Sequence, residues 1–473
     1  MLNEAVLGYS LVSQQIREEI VAGNIIVPEG NIGVRTDGKF EDQGLESRVQ
    51  PSSFEPTLGS TAFILDDERH SAFRPRKSNT VLNELMRLPR SQRNEVDISR
   101  GFELKKGFTY LIPLRESISL GDAKTLHCSP KSSTGRVFSR TRVLMDYNPR
   151  FDRIDELGDS RQRRLWMMVQ PGPFNMIVHP GLTLVQIRPF NGVNVSLSQR
   201  ELMDAYKKDP MLWERNGENH VPLLGETISD NGLELNLDLS GSMTHGVVGL
   251  RARRTPEPID LSKKEAYDPE NFFEPVIPKE GRVSLVPGEH YLLVSSGELR
   301  IPPGFSCELR RHSENGVRGS WDEAGFVDPG FRGDLVSEAV INERGSVEIP
   351  ADERFPVSAL EFFRNSVSPD KIYGAGIGSN YQGQRGIKVS KHFRPFDFAR
   401  AAKEYEKLNR EVLVCDPRTL MQFRTTVEGF EPISPKNADE LVKFIEREGF
   451  FQSRYECETD TMVLQPIPYG VLF

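Results

Sequence analysis

Apolar positions along the chain come in short runs rather than long stripes. "TAFIL" from Thr61, "FTYLIPL" from Phe108, "FNMIVHPGLTLVQI" from Phe174, "HYLLVSS" from His290 and "ALEFF" from Ala359 are each bounded by turn-forming or polar residues. Runs this short, broken this often by Gly, Pro, Asn and Asp, predict a mostly β architecture. Helical spacing shows at the two ends. "SLVSQQIREEIVAG" puts Leu11, Ile16, Ile20 and Val21 on one side, with Gly23 as its stop, and predicts a short amphipathic helix. From Ala401 the character changes: "ARAAKEYEKLNREVL" and "NADELVKFIEREG" have helical spacing, and "TMVLQPIPYGVLF" reads as a strand. Residues 401–473 are therefore expected to form a small α/β unit.

Two stretches of the β region can be laid on each other. "YLIPLRESISLGDAKTLHCSPKSSTGR" (Tyr110 to Arg136) matches "YLLVSSGELRIPPGFSCELRRHSENGVR" (Tyr291 to Arg318) with one extra residue in the second copy. Glu116 then falls on Glu298 and Arg136 on Arg318, and the strand before Pro180 corresponds to the strand before Pro350. This reads as an internal duplication, with one lobe at 1–200 and a second at 201–400.

Length agrees, since 473 residues exceed a single core. Hydrophobic content of 37% with 27% charged residues is that of a globular protein, and no apolar run is long enough to cross a membrane. The first twenty residues lack a basic region followed by an apolar run, so no secretory signal is read there. Four single cysteines, Cys128, Cys307, Cys415 and Cys457, give neither a disulfide framework nor a paired-thiolate metal site, and a cytoplasmic location is expected. A net charge of −8 argues against general affinity for nucleic acid but leaves room for a small anionic ligand at a local cationic cluster.

Three polar stretches are candidates for such a site. In "SPKSSTGR", Lys131 and Arg136 supply charge, Ser132, Ser133 and Thr134 supply hydroxyls, and Gly135 would let backbone N–H groups face a phosphate; a solvated turn is the alternative. In "GFVDPGFRGDLVSEAV", "DPGFRG" is a hairpin signal, and Glu338 follows it among Leu335, Val336, Ala339 and Val340. Facing inward, Glu338 is a candidate general base; on an edge strand it would be a solvated carboxylate. "YGAGIGSNYQGQRGIKVSKHF" is glycine-rich and carries Tyr381, Gln384, Lys388 and Lys391, which suits either a segment that orders over a phosphate ligand or a flexible linker. Zinc-deaminase chemistry finds no support, because no C-x-x-C accompanies the "HSE" at His312; nucleotide P-loop, hydrolase-elbow and H-E-x-x-H motifs are also missing.

Taken in order, the three stretches resemble the dCTP deaminase branch of the trimeric dUTPase superfamily, and about residues 5–395 resemble its double-length bacterial members. "VQPSSFEPTLG" (Val49 to Gly59) is similar to the family's early strand, with Glu55 where Asp is usual. The resemblance implies two tandem β-barrel lobes of distorted jelly-roll form, with sites built between lobes in a homo-oligomer and no nucleic-acid or membrane partner. It implies hydrolysis of dCTP to dUTP and ammonia, with Mg²⁺ held by the triphosphate and no zinc. Glu338 would activate water, with Ser132 and Arg136 placing substrate and water. Lys131, Ser133, Lys388 and Lys391 would bind phosphate, and Asp328, Phe331, Tyr381 and Gln384 the nucleoside. A dUTPase or bifunctional enzyme, or a nucleotide sensor without turnover, stays as the alternative.

The copies have diverged in opposite places. Ser132 and Ser133 correspond to Glu314 and Asn315, and a carboxylate there repels phosphate; Glu338 corresponds to Met168, whose thioether cannot take a proton from water. One composite site is expected, pairing the phosphate motif of the first lobe with the base, turn and lid of the second. In the tail, "FFQSRYECETD" and "QPIPY" are similar to the segment preceding the signature box of some Nudix hydrolases. The box does not follow within these residues, so the tail is read as a truncated Nudix-like segment or a superficial likeness, with no catalysis assigned.

Overall fold

The computed structural model describes residues 7–414, except 29–32, 37–38, 43, 66–72, 120, 122–123, 155–160, 217–218, 224–227, 313–317, 322–323, 343–345, 353, 376–378 and 409–410, together with 443 and 450–453. Met1–Phe396 form one compact unit and Asp397–Phe473 another. The expected strands form, in antiparallel sheets. In the first half a five-strand path runs Arg140–Met145, Arg163–Gln170, Thr109–Ile118, Thr61–Leu65, Arg93–Asp97. A second sheet orders Tyr9–Ser10, Val185–Asn191, Lys124–Pro130 and Arg153–Ile154. In the second half, one sheet runs Phe273–Val276, Gly249–Ala252, His290–Val294, Val336–Ile341, Gly319–Trp321; another places Pro356–Arg364 beside Phe305–Arg311. The halves are joined by a parallel pairing of Met176–Val178 with Ile259–Asp260.

The strands that were laid on each other share a register. Met168 pairs with Leu111 and Glu338 with Leu292, the residues that follow Tyr110 and Tyr291. Each tyrosine hydroxyl accepts the backbone N–H of the residue five positions earlier, Lys105 at 2.8 Å and Val286 at 2.7 Å. Every residue of Val336–Ile341 is buried, so this strand lacks the in–out alternation of a half-solvated one. Glu338 is on an interior strand and only 2% exposed, which removes the solvated edge alternative.

Three local expectations are corrected. The first helix forms over Ser13–Val21 with Ile16, and Leu11 just before it, buried, but Val21, its last residue, is 89% exposed. Val49 to Gly59 is not a continuous strand; it docks through single bridges from Phe54 to Ile187 and Leu58 to Leu114. In the last unit the helix stops at Leu408 and Glu411–Val414 is a strand, paired with Phe450–Ser453; the β-branched Val412 and Val414 favour that state. The second predicted helix, the closing strand and most of the Nudix-like stretch lie outside the described residues.

Behind the early segment, Arg48 and Glu116 form a fully buried ion pair at 2.5 Å, and Glu116 also accepts the Thr57 N–H at 2.7 Å and hydroxyl at 2.9 Å. Removing one partner strands a charge in the core. Glu116→Ala is expected to lower unfolding stability by about 3–5 kcal/mol in urea titrations; a loss under about 1 kcal/mol would contradict the pair's structural role.

Candidate active site

The strand Lys124–Pro130 ends at its proline, and Lys131 turns the chain into a single helical turn, Ser132–Gly135. The Thr134 and Gly135 N–H groups donate to the Lys131 carbonyl at 2.8 and 3.0 Å, and Arg136 N–H donates to Ser132 at 3.0 Å. Gly135 therefore does not offer its N–H to a ligand. Its missing side chain matters instead: a Cβ there would lie 2.8 Å from Glu338 Oε1 and 2.9 Å from the Ala324 methyl. The glycine lets the carboxylate of one half stand against the phosphate motif of the other.

Across from this turn, Asp328, Pro329, Gly330 and Phe331 make a β-turn, closed by Phe331 N–H to the Asp328 carbonyl at 3.1 Å, with Gly330 at φ +85°. The expected hairpin is corrected. Phe326–Val327 pairs with Phe305–Arg311, while Arg332–Gly333 pairs with Glu298–Arg300, so the turn is a corner between sheets. Proline followed by a positive-φ glycine suits a type II turn, whose twist splays strands apart.

The two halves enclose a cavity of about 750 Å³, walled by Lys131, Ser132, Ser133 and Arg136 from the first and by Asp328, Phe331, Tyr381 and Lys391 from the second. Lys131 is ion-paired to Glu55 and donates to Thr183 Oγ1 at 2.9 Å. Arg136 is the joint between motif and lid. Its Nη1 donates to Gln384 Oε1 at 3.1 Å and to the Lys388 carbonyl at 2.7 Å, and its guanidinium lies 3.8 Å over the Tyr381 ring. One face of Tyr381 is thus taken by arginine. Ser390 Oγ donates to the Ser133 carbonyl at 2.7 Å, fixing the lid to the motif a second time.

Three expected site residues stand outside the cavity wall. Gln384 holds Arg136 with its carbonyl and the Asp334 carbonyl with its amide, so it orients the guanidinium rather than facing a nucleoside. Lys388 contributes its carbonyl to Arg136, while its ammonium donates to the Asn380 carbonyl at 2.6 Å and does not line the cavity. Burial and the adjacent Arg136 push that ammonium's pKa down. Glu338 lies behind the Ser132–Gly135 turn, where Oε2 accepts the Ala324 N–H at 3.4 Å.

Sequence reasoning missed the support beneath Asp328. Ser52 Oγ donates to Asp328 Oδ1 at 2.9 Å, and Arg188, fully buried, pairs with the same oxygen at 3.2 Å. Burial raises the Asp328 carboxyl above its ordinary value, opposed by the Arg188 charge and the Ser52 bond. An arginine in the apolar run "LVQIRPF" was the available signal, since a buried charge needs a partner. Ser262, Lys263 and Lys264, from the segment joining the halves, also line the cavity, as do Tyr373 and the paired Glu46 and Lys371. Of the diverged positions, Met168 packs on the apolar cluster with Phe63, Leu65 and Trp166, and Glu314 and Asn315 lie outside the described residues.

His290, edge-on to Phe138 at 5.3 Å, is held neutral by burial and by Arg140, with a pKa of about 4. The unfolded chain binds a proton near pH 6.5 that the folded chain refuses. The resulting stabilisation is present above pH 6.5 and is lost as pH falls toward 4. His290→Phe is expected to lose about 2 kcal/mol less than the parent between pH 7 and pH 5, measured by denaturant unfolding at both pH values; equal losses would contradict a neutral, half-buried histidine.

Comparison with known proteins covers both halves of the chain. The family described as 2'-deoxycytidine 5'-triphosphate deaminase, N-terminal domain, matches residues 31–193, and its C-terminal domain matches residues 199–393. "dCTP deaminase, dUMP-forming" of Corynebacterium kroppenstedtii is 34% identical over 122 residues, 25% of this chain and 64% of that protein. The protein of the same name from a Parafrankia species is 34% identical over 142 residues, 29% of this chain and 68% of its own length. The chain thus spans just under two thirds of the first of these relatives and just over two thirds of the second. The crystal structure of 2'-deoxycytidine 5'-triphosphate deaminase from Agrobacterium tumefaciens superposes with a TM-score of 0.64 at 25% identity, covering 77% of this chain and 99% of that one. By these matches, over a β fold that brings both halves of the expected site together, the chain belongs to the dCTP deaminase family.

Proposed function

We propose that the chain deaminates dCTP at the cavity between its two halves. One observation carries the reading: the Ser132–Arg136 turn of the first half lines the cavity, and the Glu338 carboxylate of the second half stands directly behind it against Gly135, so a base backs the phosphate motif in one chain. Water adds at C4 of cytosine, giving one proton to Glu338, which passes it to N3, and the proton left on the added hydroxyl is then taken by Glu338 in turn. The C4–N bond then breaks, ammonia leaves with the returned proton, and the carbonyl of uracil remains. Arg136, braced by Gln384 and Tyr381, and the hydroxyls of Ser132 and Ser133 hold the phosphates. Asp328, fixed by Ser52 and Arg188, positions the sugar.

Mg²⁺ enters as the counter-ion of the triphosphate. The carboxylates on the cavity wall fit that role, since Glu46, Glu55 and Asp328 are already engaged by Lys371, Lys131 and Arg188. One site per chain follows from the Met168 and Glu314 replacements, and association into a homo-oligomer is part of the same proposal. Among the described residues no helix is long and apolar enough to cross a membrane.

A second product pattern is favoured by the names of the relatives, which are dUMP-forming. Incubating the chain with dCTP and Mg²⁺ and assaying ammonia and pyrophosphate separates the readings. Ammonia alone marks dUTP as product, ammonia with equal pyrophosphate marks dUMP, and tight binding with neither product would overturn the enzyme in favour of a sensor.

A further inference from the structure

Two lysines face the cavity from a segment outside all three sequence motifs. We propose that Lys263 and Lys264 bind the outer phosphates of the nucleotide and set the preference for a triphosphate over a monophosphate, an inference that rests on the cavity being the dCTP site.

Several cations of the wall are already occupied. Lys131 is paired with Glu55 and Lys371 with Glu46, and Arg136 is bonded to Gln384 and the Lys388 carbonyl. Lys263 and Lys264 line the same cavity, and among the described residues neither has an acidic partner. Unpaired positive charge beside a cavity is where a polyanion gains most, because no existing ion pair must first be broken.

Their position is fixed by the surrounding bonds. Asp260, which ends the strand joining the halves, accepts the Ser262 N–H at 3.0 Å and hydroxyl at 2.6 Å, and its Oδ1 lies 3.2 Å from His179 Nε2. The Asp260 N–H in turn donates to the Tyr267 hydroxyl at 2.7 Å. The lysine turn is thereby anchored to the first half. On its other side the Lys263 carbonyl meets His392 Nδ1 at 2.7 Å, and Glu265 N–H donates to the Lys391 carbonyl at 2.9 Å. Ser390, next to Lys391, donates to the Ser133 carbonyl at 2.7 Å. This chain of contacts places Lys263 and Lys264 at the end of the cavity that holds Ser133 and Lys391, where the phosphates belong. Compact ammonium groups on flexible stems suit the charge of a terminal phosphate, which has no single planar face to match.

The test compares the full-length parent, Lys263→Gln/Lys264→Gln and Lys263→Arg/Lys264→Arg. Binding of dCTP and of dCMP is measured calorimetrically, dCMP by displacement of dCTP, with ammonia release followed in parallel. The glutamine pair is expected to weaken dCTP binding about 10- to 100-fold and dCMP binding by less than about 3-fold, with the loss in KM rather than kcat. The arginine pair should restore most of the dCTP affinity, and the salt dependence of dCTP binding should become shallower in the glutamine pair. Equal losses for both nucleotides, or unchanged dCTP binding, would overturn the inference while leaving the deaminase reading intact. A parent that releases no ammonia overturns that reading, and the ratio of dCTP to dCMP affinities still decides this one.

Discussion

Glu338→Gln is expected to abolish ammonia release from dCTP, lowering kcat by at least about 1,000-fold while dCTP affinity stays within a few-fold of the parent. The amide keeps the volume of the carboxyl and fits the same slot between Gly135 and Ala324, so the fold and the phosphate contacts survive. What it loses is the capacity to take a proton from water. Met168, in the matching register position of the first half, cannot substitute, because its thioether has no usable basicity and packs on apolar neighbours. Two independent sites would instead leave about half of the parental rate in this variant, a result that steady-state assays distinguish at once.

Gly135→Ala is the second large effect, and it arises from one methyl group. A Cβ at this position would sit 2.8 Å from Glu338 Oε1 and 2.9 Å from the Ala324 side chain, both inside contact distance. The helical turn is held by its own hydrogen bonds and by the Thr134 hydroxyl on the Leu184 carbonyl at 3.0 Å, so the carboxylate is the part that yields. Displacing a base by about 1 Å costs on the order of 100-fold in rate. The expected outcome is a folded protein with a parental circular dichroism spectrum, dCTP binding within about 10-fold of the parent, and kcat reduced about 100-fold. Parental kcat in this variant would show that Glu338 does not need its place against the motif.

Much of this arrangement was legible in the chain, and the reasons are local. Strand periodicity located "TAFIL", "FTYLIPL" and "HYLLVSS", because apolar runs between turn residues have few other ways to fold. The Asp328–Phe331 turn was readable from proline and glycine alone. The capping box at Ser198 and Glu201, which starts the helix Gln199–Lys208 at the junction of the halves, was written in "SQRE" and could have been read as well.

The remainder depended on contacts across long sequence separations. Gly135 looked like a backbone donor because nothing near it in sequence reveals Glu338, its neighbour from the other half. The Asp328–Phe331 sequence reads as a hairpin because the partners of its flanking strands are decided by the sheets, not by the turn. Gln384 and Lys388 carried the right chemistry for a ligand, yet the structure uses them to hold Arg136. Lys263 and Lys264 belong to none of the three polar stretches of the sequence, and only their anchoring through Asp260 to the first half brings them to the cavity.

Whether one chain holds one working site is decided by titrating the Glu338→Gln protein with dCTP and Mg²⁺ in a calorimeter, alongside ammonia release by the parent under the same conditions. A composite site made of the first half's motif and the second half's base gives one dCTP bound per chain and steady ammonia release by the parent. Two nucleotides per chain, or a parent that binds dCTP and releases no ammonia, would show that the two halves do not combine into a single deaminating centre.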